Sequence, residues 1–425
     1  MLFLAAALIC VNCHKEIVER FERTPMANSS GVVKAAGESS GTIRRFSLAV
    51  AAERDGLRLR WPGGEVELTF FIGSRRMGRS YAYSSGGHLF QAPVGYYANR
   101  KVWDLPPGYE RDKAPDFSRP ITEECLSCHA TRAKAAPGTV NQFTQVVHGV
   151  QCARCHGDAE SHEGLVNPRR LPPRLRDSVC EQCHLAGRVR LARVGKRIED
   201  FRPGLELGEF VEVITGGAAA GVRVNGHAES LAMSLCKQRS GERLWCGTCH
   251  NPHAGEKTGY NAACRSCHEQ PHRDGDCVGC HMPKGRAADG GHTVYTDHRI
   301  TGARGAPAVM RSYFGREVSP RDLGLAYVRL GVAERNADYL EKAWPLLRRA
   351  AGEGKKDPEL YETIGGLLES GGRREQAEAY YRLSLKQDAL QPGVMRKLAA
   401  LARGAEAEQL LRKARAIIGN PIHSR

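Results

Sequence analysis

The chain has 425 residues, 41% of them hydrophobic and 7% aromatic, with 47 Gly and 21 Pro, a thin supply of side chains for a conventional core. Its formal charge of +15 would ordinarily point to nucleic acid or an anionic membrane. No interleaving of aromatic and basic residues supports the first, and no run reaches the ~18 uninterrupted apolar residues of a transmembrane helix, so neither nucleic acid nor a membrane span is expected.

In chain order, Leu2 to Ile9 form an apolar run like the core of an export signal, with no basic stretch before it. Residues 1–9 therefore read as a truncated signal segment; a lipid anchor on Cys10 is the rival reading. Residues 10 to 28 suggest a short helix with Ile17, Val18 and Phe21 at helical spacing, inside an N-terminal unit of residues 10–41. Residues 42–110 change character. Gly56 to Trp61 alternates, as does the run from Glu65 to Thr69, and Tyr81-Ala82-Tyr83 and Leu89-Phe90-Gln91 flank Ser84-Ser85-Gly86-Gly87, a hairpin signal. A small antiparallel sheet is expected there.

Cysteine then dominates. Of the 15 Cys, 14 form seven C-x-x-C-H strings, where composition alone gives roughly 0.02 by chance. They are Cys10/Cys13/His14, Cys125/Cys128/His129, Cys152/Cys155/His156, Cys180/Cys183/His184, Cys246/Cys249/His250, Cys264/Cys267/His268 and Cys277/Cys280/His281. Cys236 stands alone and reads as a buried structural thiol. Six strings occupy the 157 residues from Cys125 to His281, and at that density no protein core of its own is expected in residues 111–300.

Two thiols at i and i+3 lie on one side of a single turn and can add to the two vinyl groups of a porphyrin. The next residue presents its imidazole to the iron. Zinc ribbons, iron–sulfur sites and disulfides do not require a histidine directly after every pair. Seven covalently bound haem c groups are therefore expected, as the apolar material that replaces a side-chain core. Their 14 or so propionate charges account for the basic balance without invoking nucleic acid. Covalent haem attachment follows export, which implies a periplasmic or otherwise extracytoplasmic protein.

Of the 16 His, nine lie outside the strings. His148, His162, His227, His253, His272, His292 and His298 fall within or just after the haem-dense stretch and are the candidate distal ligands, whereas His88 and His423 read as surface residues. The first haem has no spare histidine nearby, and Met26 is its candidate ligand.

After Arg299 cysteine disappears and, over residues 320–420, a helical repeat begins. Asp357-Pro358 opens its clearest unit, Tyr361, Ile364, Gly365, Leu368, Ala377 and Tyr381 are its packing positions, and Gly371-Gly372 is its turn. Leu323, Ala326, Tyr327 and Leu330 begin an earlier copy, with a longer loop before Leu346 and Leu347. Leu398, Leu401, Leu411 and Ala414 suggest a third. Such helix pairs bury their apolar faces against each other, so the array is expected to pack mainly on itself. The expected fold is mostly α with little regular structure around stacked haems, a small β insertion and a C-terminal α-solenoid of tetratricopeptide-like helix pairs.

Several segments resemble a known family. Cys152-Ala153-Arg154-Cys155-His156-Gly157 followed by His162 resembles the C-H-G-x-x-x-x-H segment of the tetrahaem cytochromes of nitrifying bacteria. Cys246 to His253 and Cys277 to Pro283 look like that family's doubled haem motifs, and Asp297-His298-Arg299-Ile300 is similar to its relatives' final ligand segment. The whole resembles periplasmic multihaem cytochromes that end in tetratricopeptide repeats. The resemblance implies His162, His227, His253 and His298 as distal ligands, and departs where relatives often carry a histidine in the first helix and this chain has Met26. It implies electron carriage between extracytoplasmic redox partners, docked by the repeats. The rival is an oxidoreductase acting on small nitrogen or sulfur oxyanions at one open iron, as in related multihaem folds. Seven distal histidines plus Met26 suffice to close all seven irons, which favours transfer.

Overall fold

The computed structural model describes residues 4–34, 38–74, 76–158, 164–217, 221–255, 259–269, 275–300 and 309–422. Helix α1 (Leu4–Glu22) carries the first cysteine pair and is broken at His14, where φ is −119° and ψ is 33°. Beyond Glu22 the chain runs through turns to Ser29. The helix expected over residues 10 to 28 thus stops early, because Pro25 disfavours helical geometry at Thr24 and has no N–H of its own to donate.

Strands begin at Ser30 and build two sheets. One has the order β1 (Ser30–Val32), β6 (Phe70–Ile72), β7 (Arg79–Ser85), β8 (His88–Tyr97), β9 (Val102–Asp104). The other runs β2 (Gly41–Ile43), β3 (Leu48–Glu53), β4 (Gly56–Trp61), β5 (Gly64–Leu68). In β4, Leu57 and Leu59 are buried while Arg58 and Arg60 pair with Glu53 and Glu65 on the open face, the period of two that a half-buried strand requires. Leu48, Val50, Leu59 and Leu68 meet Tyr81, Tyr83, Phe90 and Val94 in one apolar core. The single small sheet of the sequence reading is therefore a two-layer sandwich. Its expected hairpin is present: Ser85 pairs with His88, and Gly86 and Gly87 take φ of 58° and 82°, as a type I′ turn demands.

From Glu123 to His281 the helices are short: α2 (Glu123–Leu126), α3 (Ala153–His156), α4 (Pro173–His184), α5 (His227–Met233), α6 (Leu235–Ser240), α7 (Cys246–Cys249), α8 (Tyr260–Arg265) and α9 (Cys277–His281). Most are a single turn, which is all that two thiols three residues apart need. A hairpin of β10 (Ala130–Ala135) and β11 (Phe143–His148) joins Leu126 in packing on Phe70 and Ala82 of the sandwich. Strands β14 (Lys284–Arg286) and β15 (Val294–Thr296) pair after the last motif.

One expectation is corrected here. The stretch between His184 and Cys246 does have an apolar core of its own. Strands β12 (Val189–Ala192), β13 (Val211–Thr215) and β16 (Arg311–Ser312) form a sheet, and Leu185, Phe201, Leu207, Phe210 and Val213 are buried together beside it. No cysteine pair interrupts these residues, so there is chain enough for a small sheet to fold.

The C-terminal region is three helix pairs: α10 (Pro320–Glu334) with α11 (Ala337–Gly352), α12 (Pro358–Ser370) with α13 (Arg374–Gln387), and α14 (Pro392–Leu401) with α15 (Gly404–Ile418). Asp357 caps α12 by accepting from the Leu360 N–H, and Gly371-Gly372 forms the turn after it. The longer loop expected before Leu346 is absent: α10 and α11 are joined by Arg335, at φ 54°, and Asn336, whose side chain caps α11. Leu411, expected to pack, is 38% exposed.

The array packs mainly on itself, as expected, and is also tied to the rest of the chain at both ends. Leu325, Ala326 and Leu330 share a core with Val189, Leu191 and Ile214 of the third sheet. Arg193 pairs with Asp322, Arg188 with Glu334, and Arg321 and Arg329 donate to the carbonyls of Ala192 and Arg190. At the far end Ile422 packs against the sandwich core, its N–H on the Tyr83 hydroxyl, while Ser85 donates to the Asn420 carbonyl and Asn141 to that of Ile418. Among the described residues no helix is long and apolar enough to cross a membrane.

Candidate haem-attachment site

The cysteine pairs, scattered along the sequence, are brought together in space. The thiol of Cys128 lies near enough to Cys183 to influence its charge, as do Cys180 and Cys246, Cys264 and Cys277, and Cys10 and Cys152. Motifs distant in sequence are therefore neighbours, the second beside the fourth, the fourth beside the fifth and the first beside the third. None of the 15 cysteines is in a disulfide. Burial pushes the Cys155 thiol up to about 11, so it is held as the neutral S–H.

Five of the attachment cysteines, Cys13, Cys125, Cys249, Cys267 and Cys280, are exposed on the polypeptide. In each of those motifs the other thiol, on Cys10, Cys128, Cys246, Cys264 or Cys277, is half-buried. Only the motifs at Cys152/Cys155 and Cys180/Cys183 keep both thiols half-buried. The reason is geometric: a helical turn with one side against neighbouring chain leaves a residue at its rim uncovered, and the second and the fifth to seventh motifs lie on short helices. At these five positions the polypeptide leaves the sulfur open, and a bound porphyrin is what would cover it.

The imidazoles are arranged in facing pairs. His156, at the end of α3, and His253 have ring centroids 5.9 Å apart and planes within 11°. His250, after α7, faces His298 at 6.1 Å and 30°. His184, closing α4, meets His227, the first residue of α5, edge-on, at 5.5 Å and 63°. With metal–imidazole bonds of ~2 Å, two rings sharing one iron have centroids roughly 6 Å apart. His227 and His298, at 4.6 Å, are too close for that and touch directly.

Burial sets their charge. His227 is pushed down to about 3 by desolvation and then by the neighbouring His298, His184 and His250. Desolvation likewise lowers His129, His148, His184, His250, His253 and His298. Each is neutral at pH 7 and keeps a lone pair to offer a metal.

The other candidates fall elsewhere. His129 is half-buried with its carbonyl held by the Ser29 and Ser30 hydroxyls, and His148 lies against Phe70; the Nδ1 of each is buried without a partner. His14 sits at the break in α1, His268 just after α8, and His281 ends α9. His292 is turned onto the sandwich: Nε2 lies 2.5 Å from the Asp104 carboxylate, Nδ1 3.3 Å from Arg100, and its ring meets Tyr97 edge-on. Both its ring nitrogens are engaged, so the expectation of a free distal ligand is not met at this position.

Met26 was expected at helical distance from His14, but it lies in the turns past Glu22. Its carbonyl accepts from the Val150 N–H, which places it near the third motif, itself beside the first. His88, read as a surface residue, is half-buried and bonded through Nδ1 to Asn141. Cys236 is half-buried on α6, near enough to Cys249 and Cys264 to influence their charge. His162, His272 and His423 lie outside the described residues.

Sequence reasoning missed Asp104, Ser29 and Ser30, which act through partners about a hundred or more residues away and carry no local signature. It also missed the ring pairing itself, though Asn251-Pro252 gives a signal: it turns the chain so that His253, three residues after His250, points to a different partner.

These residues fit haem c. A porphyrin supplies four nitrogens and leaves two axial positions, and the described histidines present themselves in twos beside thiol pairs; among the described residues no three His, Cys, Asp or Glu converge to hold a bare ion. Among curated proteins none matches the sequence. Residues 108–157, which contain the second and third motifs, match the family described as cytochrome c554 and c-prime. That match, on two C-x-x-C-H strings and His148, supports a c-type cytochrome with covalently bound haem.

Proposed function

We propose that the chain is an extracytoplasmic multihaem electron carrier with seven haem c groups, passing electrons between redox partner proteins. The observation that carries this reading is the near-parallel His156–His253 pair at 5.9 Å. Two such rings could both offer a nitrogen to the iron of one bound haem, which would suit electron transfer. His184 and His227 would likewise serve the group at Cys180/Cys183, and His250 and His298 the group at Cys246/Cys249. A bound haem would supply the one-electron change. The chain's own residues hold the imidazoles neutral and aligned, and shelter at least one sulfur of each pair from water. Cysteines of different motifs that lie near enough to influence one another's charge support a continuous path: first to third to fourth, with the second alongside, then fifth, sixth and seventh.

The three helix pairs are read as tetratricopeptide-like, since Leu360, Ile364, Leu368, Ala377 and Tyr381 form their shared core. We assign them partner docking on the faces left free between the two anchored ends.

The test is the electron paramagnetic resonance spectrum of the ferric protein, compared with that of His253→Ala. A low-spin signal for the haem at Cys152/Cys155 in the wild type, converted to high-spin in the variant, is expected. A wild-type high-spin iron that binds nitrite would instead support the alternative, an oxidoreductase acting on small nitrogen or sulfur oxyanions at an open iron.

A further inference from the structure

Helix α4 carries, between its two cysteines, a carboxyl that neither haem attachment nor axial ligation uses. Glu181 is 8% exposed. Among the described residues no cation lies within ion-pairing distance of it, and its hydrogen-bond partner is the Tyr313 hydroxyl, which donates at 2.7 Å. Buried carboxylates ordinarily have a cation or several donors to offset lost hydration. This one has a single hydroxyl.

Its surroundings are charged on every side that packs against it. From its own helix Asp177 faces it, from α5 Glu229, from α6 Lys237, and from the segment after β16 Tyr313. Lys237 is already committed, at 3.6 Å, to Asp177 and to the Leu244 carbonyl. Cys246 of the fifth motif is close enough to feel the Glu181 charge. The carboxyl thus stands between the anchor points of two motifs. It also lines a cavity of about 780 Å³ with Asp177, Glu229 and Tyr313.

We propose that Glu181 is a redox-linked proton acceptor for the haem anchored at Cys180 and Cys183. The inference rests on the reading of the chain as a haem carrier. When one electron arrives from a donor protein, the Glu181 carboxylate takes one proton from solvent and becomes the neutral acid, so that no net charge is added to the buried site. When the electron leaves for an acceptor protein, the O–H breaks and the proton returns to solvent. Burial pushes the Glu181 carboxyl up to about 7, against the opposing effect of the Tyr313 hydrogen bond, so the exchange falls in the neutral range. An added electron nearby raises it further, because a second negative charge disfavours the carboxylate. By linkage the potential must then fall as pH rises through that window.

The test is a redox titration of the haem-loaded protein at a series of pH values between about 5 and 9, for wild type, Glu181→Gln and Tyr313→Phe. In wild type one haem component should lose potential as pH rises through neutrality. In Glu181→Gln that component should be flat. In Tyr313→Phe the window should move to higher pH, because the hydroxyl favours the ionised carboxylate; this variant also serves if Glu181→Gln does not fold. Reduced-minus-oxidised infrared spectra should show a carboxylic C=O band in wild type that Glu181→Gln lacks. A pH dependence unchanged in Glu181→Gln, or no component that responds to pH, overturns the proton site alone. A chain with no covalent haem gives no redox component and overturns the carrier reading with it.

Discussion

A side chain at Gly149 would place its Cβ 1.9 Å from the carbonyl oxygen of Ala27. The residue also has φ of 65°, a left-handed conformation that only glycine adopts without cost. The contact holds the exit of the first helix against the third motif, next to the Met26–Val150 backbone bond. Gly149→Ala should therefore destabilise the folded protein by at least about 2 kcal/mol. Chemical denaturation of the haem-loaded protein checks this, and an unchanged midpoint would show that the two segments are not pressed together.

Met26→Leu should leave every haem signal where it is. The side chain lies past the end of α1, and a leucine of similar volume keeps its packing at a cost below about 1.5 kcal/mol. Near-infrared spectroscopy of the ferric protein is the measurement: loss of a sulfur-to-iron band in the variant would restore Met26 as a ligand.

Arg321 is buried among Asp322, Asp357 and Glu359, and donates to Asp357 at 2.8 Å. Arg321→Met strands those carboxylates and should cost about 3–5 kcal/mol. Adding Asp357→Asn should recover part of the loss, since one uncompensated charge is removed. Thermal unfolding of the single and double variants decides: equal stabilities of Arg321→Met and wild type would mean that the cluster is hydrated.

The helical array is fixed at both ends, and Ile422 is its hold on the sandwich. Ile422→Asp should free that end, making the α15 region sensitive to limited proteolysis while the haem spectrum stays unchanged. Resistance equal to wild type would show that Ile422 carries none of the attachment. Removal of residues 320 to 425 is expected to be more damaging, because it uncovers Val189, Leu191 and Ile214.

The parts of this arrangement that were legible in the sequence are those whose physics is local. Two thiols and a histidine on one turn declare themselves in five residues. Gly86-Gly87 declares a hairpin, and Asp357-Pro358 a helix start, because the turn and the cap are made within four residues. The parts that were not legible depend on distant partners. His292 reads as a free histidine until Asp104, 188 residues earlier, is seen to hold it. Which thiol of a pair is sheltered was equally hidden: Cys264 is half-buried beside Cys277 of the next motif, while Cys267 and Cys280 stay exposed. The short link at Arg335-Asn336 was hidden because an arginine, not a glycine, takes the left-handed conformation there. Val189, Leu191 and Ile214 pack against a helix pair more than a hundred residues later, and nothing local to them declares it.

Seven C-x-x-C-H strings and facing imidazoles make covalent haem the centre of the account, and the intact mass of the exported protein under denaturing conditions tests it most directly. The account predicts the polypeptide plus seven haems, none of them lost on unfolding because each is held by thioether bonds. A mass corresponding to fewer than six haems, or to the bare polypeptide, would contradict it.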